Sequence, residues 1–433
     1  MTELNRPARP SITLPDLTDR QNRTLATLFL VIWALATMIL QWDQWPEDLS
    51  AVYIAGYLWQ TGQPDLIYAA PAGFFGGTAV EWIPAQKALG IYEAGSFAYV
   101  YPPLWAALTA PLTDVLSPQG FANAVTCFQV PMLAASVWLA MRILPAKGIP
   151  VWLQAAIGVL LLSTMMPAYS ALWFNNPSIT VNFLTLLAFE RLTAGRPVAA
   201  GMALGLAAAI KLSPATFILV FLIDRQWRAI AAFAIFGGAL GILSLVVAGL
   251  PLHWDFLGSL RTVSDVAFLS AGNVSLRAAL PALASGLSLA PAIVTSEPNY
   301  IIHNIPAWFS PLLALTAIAL IAAFGMALRH KASGQKRAMG LLALSIIVPL
   351  FGPLGWLHYY VMPMLLLPGI VPHIPLRRAM VLFGALGLAS LAALFAKIGA
   401  LPWPSANYVW VMCLLWLWVL TELMIAARRS PAG

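Results

Sequence analysis

Two adjacent carboxylates, Glu47 and Asp48, follow the first long apolar run of the chain, in the stretch QWPEDLSAVYIAG. The stretch is typical of a helix start, where acids in the first turn suit the helix dipole. A partly buried carboxylate at a membrane surface can also act as a general base, because burial moves its pKa towards neutrality. The two interpretations are compatible, since the start of a helix both orients a carboxylate and keeps it ionised.

A lysine, Lys211, lies in the apolar stretch GLAAAIKLSP, after a run of small residues that allows close helix packing. A lysine in such a place can simply extend its ammonium group to the nearest membrane interface. Here Pro214 is predicted to break the helix at the lysine itself. An ammonium group at a broken helix end is well suited to bind an anion, and phosphate is the obvious one.

Three further segments offer polar side chains at predicted outer turns. WFNNPS carries Asn175 and Asn176, GWLHYY carries His358 and Tyr359, and SAGNVSLRAAL carries Asn273. Helix capping around Pro177 would explain the amides, and an interfacial aromatic belt would explain the histidine and tyrosines. The alternative is that these groups bind substrate, together with outer aromatic residues that could stack on sugar rings, such as Tyr53 and Tyr101.

The composition predicts a polytopic membrane protein. Hydrophobic residues make up 61% of the 433 residues and charged residues only 9%, whereas soluble domains carry roughly a quarter charged residues. The net charge of +7 is therefore interpreted as a topology signal and not as a nucleic-acid-binding surface. We expect no metal site, because no cluster of histidines and acids has the spacing of metal ligands.

Apolar runs of about 20 residues predict membrane helices. Eight are clear, near 24–42, 120–144, 150–168, 177–193, 228–249, 304–328, 377–397 and 407–427. Two longer stretches, 198–223 and 338–371, are each predicted to cross twice, which brings the total to about twelve. The proline-containing stretch 101–117 is predicted to be a re-entrant or interfacial helix.

The positive-inside rule then orients the chain. With both termini in the cytoplasm, the outer side receives only the basic residues Lys87, Lys211, Arg261, Arg277 and Lys397. The predicted organisation is a cytoplasmic tail over 1–23, a single membrane domain over 24–428 with large outer loops near 43–119 and 250–303, and a cytoplasmic tail over 429–433. The candidate acids, lysine, histidine and amides all fall at the outer face.

The order of these segments resembles glycosyltransferase family 87, mannosyltransferase-like membrane enzymes of the GT-C superfamily. An acid early in the first outer loop is followed by VYIAGYLWQTGQPDLIY, YPPLWAALTAPL and AAGMALGLAAAIKLSP. The amide-rich outer turn NNPS, a later NVSL and a late HYY are also similar. The resemblance covers roughly 48–367. It implies an all-α polytopic membrane protein, a GT-C-like bundle of about twelve transmembrane helices with two large extracytoplasmic loops.

The resemblance also implies roles for individual residues. Asp48 corresponds to the general base, with Glu47 as the alternative acid. Lys211, in KLSP, would bind the phosphate of the donor, and His358 would assist either the phosphate or the base. The other expected substrate-binding residues are Tyr53, Tyr101, Asn175, Asn176, Asn273 and Tyr359.

The implied activity is an inverting transfer of a monosaccharide, mannose or another hexose or pentose, from a polyprenyl-phosphate donor to a lipid or glycan acceptor. This would take place at the outer face of the bacterial cytoplasmic membrane, in cell-envelope glycolipid biosynthesis. We expect a monomer that needs no cofactor or metal and binds no nucleic acid. The main alternative is a transporter or flippase for a lipid-linked or anionic solute, for which broken helices would also be suited.

Overall fold

The computed structural model describes residues 17–69, 79–287, 299–302, 305–397 and 407–429. Within these residues the chain is almost entirely helical. The α-helices, numbered in chain order, are α1 (Asp19–Gln41), α2 (Glu47–Gln60), α3 (Ile83–Ala88), α4 (Pro103–Thr109), α5 (Pro118–Ile143), α6 (Val151–Thr164), α7 (Met166–Trp173), α8 (Ser178–Thr193), α9 (Pro197–Ile210), α10 (Ile218–Ile223), α11 (Trp227–Asp265), α12 (Leu276–Gly286), α13 (Phe309–Leu328), α14 (Ser333–Phe351), α15 (Val361–Leu366), α16 (Leu376–Lys397) and α17 (Asn407–Arg428).

Two short strands depart from the all-α prediction. β1 (Ala267–Ser270) and β2 (Asn299–Ile302) pair antiparallel, with Ala267 opposite Ile302 and Ser270 opposite Asn299. Both belong to the second predicted outer loop. The aromatic and branched residues of AFLS and NYII suit a strand, and the segments are too short and too far apart in sequence for a periodicity argument to pair them.

Seven of the described helices are long and apolar enough to cross a membrane, namely α1, α5, α11, α13, α14, α16 and α17. Helices α6 and α7 meet at a bend of 63°, and they form an eighth crossing if they are counted as one span. The prediction of a multi-pass membrane protein is thus supported. The predicted number of about twelve spans is not confirmed.

The two stretches that were predicted to cross twice account for most of the difference. In 198–223, α9 ends at Ile210 and a 3₁₀ helix over Ser213–Phe217 leads into the short α10. A 14-residue helix such as α9 is about 21 Å long, less than the roughly 30 Å of a hydrocarbon core. In 338–371, only α14 is of spanning length, and the chain continues in short helical pieces up to His373.

The described part of the first predicted outer loop, up to 69 and from 79 onward, has a hydrophobic core of its own. α2 is apolar on nearly every face, with every residue from Leu49 to Gly56 buried, and it packs against α4. Contact is close, because a Cβ at Gly56 would lie 2.9 Å from Thr109 Cγ2. As predicted for 101–117, α4 is a short apolar helix. This packing fixes the start of α2, and with it Asp48.

Ion pairs join neighbouring helices at the helix ends that lie away from Asp48. Glu190, near the end of α8, pairs with Arg142 at 2.9 Å and with Arg191 at 2.5 Å. Asp224 pairs with Arg337 at 2.6 Å, near the start of α14. Each of the two buried carboxylates is thus paired with arginine, as charges in apolar surroundings must be. These basic residues are among those assigned to the cytoplasmic side by the positive-inside rule.

A backbone clamp holds the segment that follows α14. The Val274 N–H donates to the Gly355 carbonyl at 2.7 Å, the Gly355 N–H donates to Asn273 Oδ1 at 2.7 Å, and the Leu357 N–H donates to the Gly272 carbonyl at 2.9 Å. The Tyr360 hydroxyl adds a bond to the Val274 carbonyl at 2.5 Å. These bonds place the next residues, His358 and Tyr359, at a defined position.

We expect Gly355→Ala to destabilise the protein, because the added Cβ would lie 2.3 Å from the Val274 carbonyl oxygen and 2.7 Å from that of Pro349. The cost should be about 1–3 kcal/mol, as for other overpacked sites. The measurement is the midpoint of thermal unfolding in detergent. Gly384→Ala is the control, since a Cβ there meets nothing within 4 Å. Equal midpoints for the two variants would contradict the clamp.

Several predicted segments lie wholly or partly outside the described residues. These are most of the tail 1–23, parts of the loops 43–119 and 250–303, the turn near 398–406 and most of the tail 429–433.

Candidate active site

One cavity of about 560 Å³ lies where the start of α2, helix α7, the break after α9 and the turn after α14 meet. It brings together residues that are up to 312 positions apart in the chain. The residues predicted from the sequence that line it are Glu47, Asp48, Tyr101, Asn176, Lys211, His358 and Tyr359.

Asp48 lies in the first turn of α2, two residues after the N-cap residue Pro46. It is therefore not the cap itself, but its position in the first turn suits the helix dipole. Its Oδ2 accepts a hydrogen bond of 2.6 Å from Asn176 Nδ2. Burial raises the pKa of Asp48 to about 6, while the bond from Asn176 and the charge of Lys211 act in the opposite direction. A carboxylate with this pKa is ionised at neutral pH and still basic enough to accept a proton.

Lys211 follows the last residue of α9 and has extended backbone angles. Its Nζ donates to Tyr359 Oη at 2.7 Å and to Ser178 Oγ at 3.2 Å. The ammonium group also lies 4.1 Å from the ring centroid of Tyr359 and 5.9 Å from that of Tyr101, close enough for cation–π attraction. Burial lowers the pKa of Lys211 to about 7, and Asp48 opposes the decrease.

Asp48 and Lys211 line the same cavity without forming a direct ion pair. They are linked through the turn before α8. Asn176 donates to Asp48 with its amide nitrogen and accepts the Ser178 N–H at 2.8 Å with Oδ1, and Ser178 Oγ accepts from Lys211. Asn175 has a φ of 42°, a left-handed conformation that asparagine tolerates better than most residues. The NNPS turn thus holds both Asp48 and Lys211 in place through hydrogen bonds.

The ammonium group of Lys211 has three N–H donors, and two are used by Tyr359 and Ser178. Because Tyr359 Oη accepts from Lys211, its own hydrogen can point elsewhere. The pair can therefore offer one N–H and one O–H to an anion in the cavity. This is a suitable arrangement for a phosphate group.

His358 is 3% exposed and lies at the cavity wall, with its ring edge-on to Tyr359 at 4.7 Å between centroids. Within the described part of the chain, neither ring nitrogen has a hydrogen-bond partner. Burial and, to a smaller degree, the charge of Lys211 hold the pKa of His358 well below its usual value. The imidazole is therefore neutral, and it can donate through one nitrogen and accept through the other.

Three predicted site residues lie away from this cavity. The hydroxyl of Tyr53 donates to the Leu116 carbonyl at 2.6 Å, so this side chain links α2 to the segment between α4 and α5. Asn175 donates to Thr126 Oγ1 at 2.9 Å, against α5. Asn273 belongs to the clamp and donates to the Phe268 carbonyl at 2.7 Å. The bonds of these three side chains support the elements around the cavity.

The sequence argument did not single out Ser178 or the aromatic walls. Ser178 appeared only as the last residue of the WFNNPS segment, although its hydroxyl oxygen accepts a hydrogen bond from Lys211. The walls are formed by aromatic side chains of the segment before α4, of α7 and its C-cap, of β1 and of the turn after α14, namely Phe97, Tyr169, Trp173, Phe174, Phe268 and Trp356. The positions of Tyr169 and Trp173 depend on the bend between α6 and α7, where Pro167 is a signal in the sequence.

Comparison with known proteins identifies the family. Residues 99–357 match Glycosyltransferase family 87. Tyr101, Asn176 and Lys211 lie in this range, Asp48 precedes it and His358 follows it directly.

Two curated relatives carry the same printed name, polyprenol-phosphate-mannose-dependent alpha-(1-2)-phosphatidylinositol mannoside mannosyltransferase. The one from Mycolicibacterium smegmatis is 27% identical over 85% of this chain and 78% of its own length. The one from Mycobacterium tuberculosis is 23% identical over 96% of this chain and 95% of its own length. No solved structure matches the chain. The resemblance drawn from the outer segments is confirmed, and the transferase interpretation is favoured over a transporter: the chain belongs to glycosyltransferase family 87.

Proposed function

We propose that this protein transfers a mannosyl residue from a polyprenyl-phosphate donor to a glycolipid acceptor, with inversion at the anomeric carbon. The donor and the type of acceptor are suggested by the names of the two relatives. The observation that carries the proposal is that Asp48 and Lys211 line one cavity without neutralising each other in a direct ion pair. Both groups are thus available to two different reactants.

In the proposed reaction, a hydroxyl oxygen of the acceptor attacks the anomeric carbon of the donor sugar. Asp48 accepts the hydroxyl proton as the new carbon–oxygen bond forms. The bond between the anomeric carbon and the phosphate oxygen breaks, and its electron pair leaves with the polyprenyl phosphate. Glu47, which also lines the cavity, is the alternative acceptor of the proton.

Negative charge develops on the departing phosphate on the other side of the sugar. Lys211 and the Tyr359 hydroxyl would stabilise this charge with preorganised donors in a partly dry site, where such donors are most effective. His358 would donate a further hydrogen bond through its neutral ring. Because the phosphate is already a good leaving group, one base and these donors suffice, and the proposed reaction needs no metal or nucleotide.

The proposed setting is the outer face of the bacterial cytoplasmic membrane. Arg142, Arg191 and Arg337 lie at the ends of α5, α8 and α14 that are remote from the cavity. The positive-inside rule therefore supports a cytoplasmic position for these ends and an outer position for the cavity. A helix of 16 residues such as α8 separates its two ends by about 24 Å. A single membrane domain over 24–428, acting as a monomer, is part of this proposal.

The test is a transfer assay with the purified protein in liposomes, supplied with radiolabelled mannose on polyprenyl phosphate. We expect label in a glycolipid of the added acceptor class, with inverted anomeric configuration by nuclear magnetic resonance, and undiminished activity in excess EDTA. Retention of configuration would contradict the role of Asp48. Translocation of the lipid across the bilayer without any new glycosidic bond would instead support the transporter.

A further inference from the structure

A separate cavity, here called the α6 groove, lies among α6, α16, α17 and the 3₁₀ helix over Leu367–His373. It has a volume of about 240 Å³ and is lined almost wholly by apolar side chains, including Ile157 and Trp416. The hydroxyl oxygen of Ser390, which also lines the groove, already accepts the Met166 N–H at 2.5 Å. The groove thus favours an apolar ligand.

The groove follows α6 along its length. Ile149 lies just before this helix and Met165 just after it, and both residues line the groove. The 14 residues of α6 span about 21 Å, which is more than half of the roughly 30 Å of a hydrocarbon core. An acyl chain of one leaflet, which reaches to about the middle of the bilayer, can therefore lie along the groove.

The groove is accessible from the lipid side of the protein. Several of its lining side chains, among them Ile157, Leu161 and Phe383, are only half-buried. On α16, the nearby side chains of Val381 and Leu388 are exposed. A phospholipid can therefore enter the groove sideways from the bilayer.

Basic side chains lie at the end of the groove that is remote from the active site. Lys147 lies two residues before the lining residue Ile149, and His373 lies two residues after the lining residue Val371. Lys147 is exposed, and the positive-inside rule assigns it to the cytoplasmic side. The apolar groove thus ends where a lipid headgroup would meet basic groups.

Packing fixes the two basic segments relative to each other. A Cβ at Gly369 would lie 2.2 Å from the Leu144 carbonyl oxygen, so the 3₁₀ helix directly contacts the turn between α5 and α6. In this turn, the Gln154 side chain accepts the Ala146 N–H at 3.1 Å and donates to the Ala146 carbonyl at 3.2 Å. Lys147 is the next residue, so its backbone has a defined position at the end of the groove.

The positive charge at this end is not neutralised within the described residues. There, Lys147, Lys331 and His373 form no ion pair with a carboxylate. The Lys331 ammonium group donates to the backbone carbonyl of Arg429. Burial, and then the charges of Lys147 and Lys331, lower the pKa of His373, so both ammonium groups are close enough to act on the imidazole. An anion would relieve this repulsion, and a phosphate group suits these donors.

We propose that the α6 groove binds one acyl chain of an anionic phospholipid from the cytoplasmic leaflet, whose phosphate contacts Lys147, Lys331 and His373. Basic pockets between membrane helices on the cytoplasmic side are suited to anionic lipid headgroups. The apolar lining adds affinity in proportion to the apolar area of the chain that it buries. This inference goes beyond the proposed reaction and does not depend on it.

The bound lipid would support the bend that shapes the active site. The groove reaches Met165 and Pro167, at the bend of 63° between α6 and α7. Met166 lies between them and lines the active-site cavity, and α7 contributes Tyr169 and Trp173 to the cavity wall. A chain that fills the groove would therefore stabilise the position of the helix that carries this wall.

The first experiment measures how added ligands change the thermal unfolding midpoint of the purified protein in detergent. The ligands are long-chain phosphatidylglycerol, phosphatidylcholine with the same chains, short-chain phosphatidylglycerol and inorganic phosphate. We expect long-chain phosphatidylglycerol to raise the midpoint most and inorganic phosphate to leave it unchanged. Equal effects of the two long-chain lipids would overturn the role of the basic groups. Equal effects of long and short chains, or of the lipid and inorganic phosphate, would overturn the role of the groove.

The second experiment removes the proposed headgroup contacts. The double variant Lys147→Gln with Lys331→Gln should lower the affinity for long-chain phosphatidylglycerol about tenfold, measured by titration with native mass spectrometry. Arg225→Gln with Arg228→Gln is the matched control, because both arginines are exposed and lie just before and in α11, which does not line the groove. An unchanged affinity in the lysine variant, or an equal loss in the arginine variant, would overturn the assignment.

The third experiment fills the groove. A Cβ at Gly387 has only Met165 Cε within 4 Å, at 3.6 Å, so Gly387→Leu places its side chain in the groove and removes a glycine from a helix. The affinity for long-chain phosphatidylglycerol should fall about tenfold, while that for the short-chain lipid should change by no more than about threefold.

Gly384→Leu is the control for this variant, since Gly384 lies one turn earlier on α16, does not line the groove, and a Cβ there meets nothing within 4 Å. It should bind both lipids like the unaltered protein. The unfolding midpoint without added lipid shows that each variant is folded. Equal losses in the two glycine variants would overturn the groove as the lipid site. Because no measurement uses a sugar donor or acceptor, each outcome is independent of the transfer assay.

Discussion

Asp48→Asn should reduce the rate of sugar transfer by a factor of about 10²–10⁴, the usual contribution of a positioned general base. The amide oxygen of an asparagine can still accept the bond from Asn176 that now reaches Asp48 Oδ2 at 2.6 Å, so the turn before α8 should keep its structure. The loss should fall on kcat, with the KM of the donor little changed. Steady-state kinetics in liposomes is the measurement.

Glu47→Gln is the matched control, because Glu47 precedes Asp48 and lines the same cavity. It should retain most of the activity. The reverse pattern, an active Asp48→Asn and an inactive Glu47→Gln, would assign the base to Glu47.

The same carboxylate should shape the pH profile. Asp48 must be deprotonated to accept a proton, so kcat/KM should rise as the pH increases through the pKa of about 6. Lys211 must be protonated to attract the phosphate, so kcat/KM should fall again as the pH increases through the pKa of about 7. The other titratable groups that line this cavity are Glu47, Tyr101, Tyr169, His358 and Tyr359. The rising limb should disappear in Asp48→Asn, and its persistence there would contradict the assignment.

Lys211→Met should lower kcat/KM for the donor by a factor of about 10²–10³, comparable to the loss of one preorganised donor to a developing charge. Methionine preserves the length and apolar stem of the side chain, so packing against the ring of Tyr359 should remain. The KM of the acceptor should change by no more than about threefold, because the acceptor is activated on the side of Asp48. Kinetics with each substrate varied in turn is the measurement.

Lys87→Met serves as the control for removal of a positive charge from the outer side. Lys87 is exposed and lies over the ring of Tyr92. Lys87→Met should leave the KM values of the donor and of the acceptor unchanged. Equal losses for donor and acceptor in Lys211→Met would indicate a general structural role for the lysine and contradict phosphate binding.

The sequence was sufficient to predict that Asp48 and Lys211 line one cavity. The cost of placing a lysine beside Pro214 in an apolar stretch, and the position of two acids at a helix start, identified Lys211 and Asp48 without knowledge of the fold. The hydrogen-bond partners of these two residues were harder to predict. That Asn176 faces Asp48 while its neighbour Asn175 faces Thr126 depends on one left-handed residue, which composition and periodicity do not reveal.

The predicted number of about twelve spans is not confirmed, for a related reason. Hydropathy measures how apolar a segment is but not whether lipid or protein surrounds it. α9 is an apolar helix of 14 residues, about 21 Å long, that packs against α8 and α11. Apolar segments that pack around the cavity therefore have the same signature as spans. The pair of β1 and β2 was missed because it joins residues 29 to 35 positions apart.

The linkage from Asp48 through Asn176 and Ser178 to Lys211 has a consequence for the order of events. Lys211 lowers the pKa of the Asp48 carboxyl group. If the donor phosphate binds at Lys211 as proposed, it would offset this positive charge and increase the affinity of Asp48 for a proton. Asp48 would then be most basic once the donor is bound, and a hydroxyl group that arrives before the donor would meet a weaker proton acceptor.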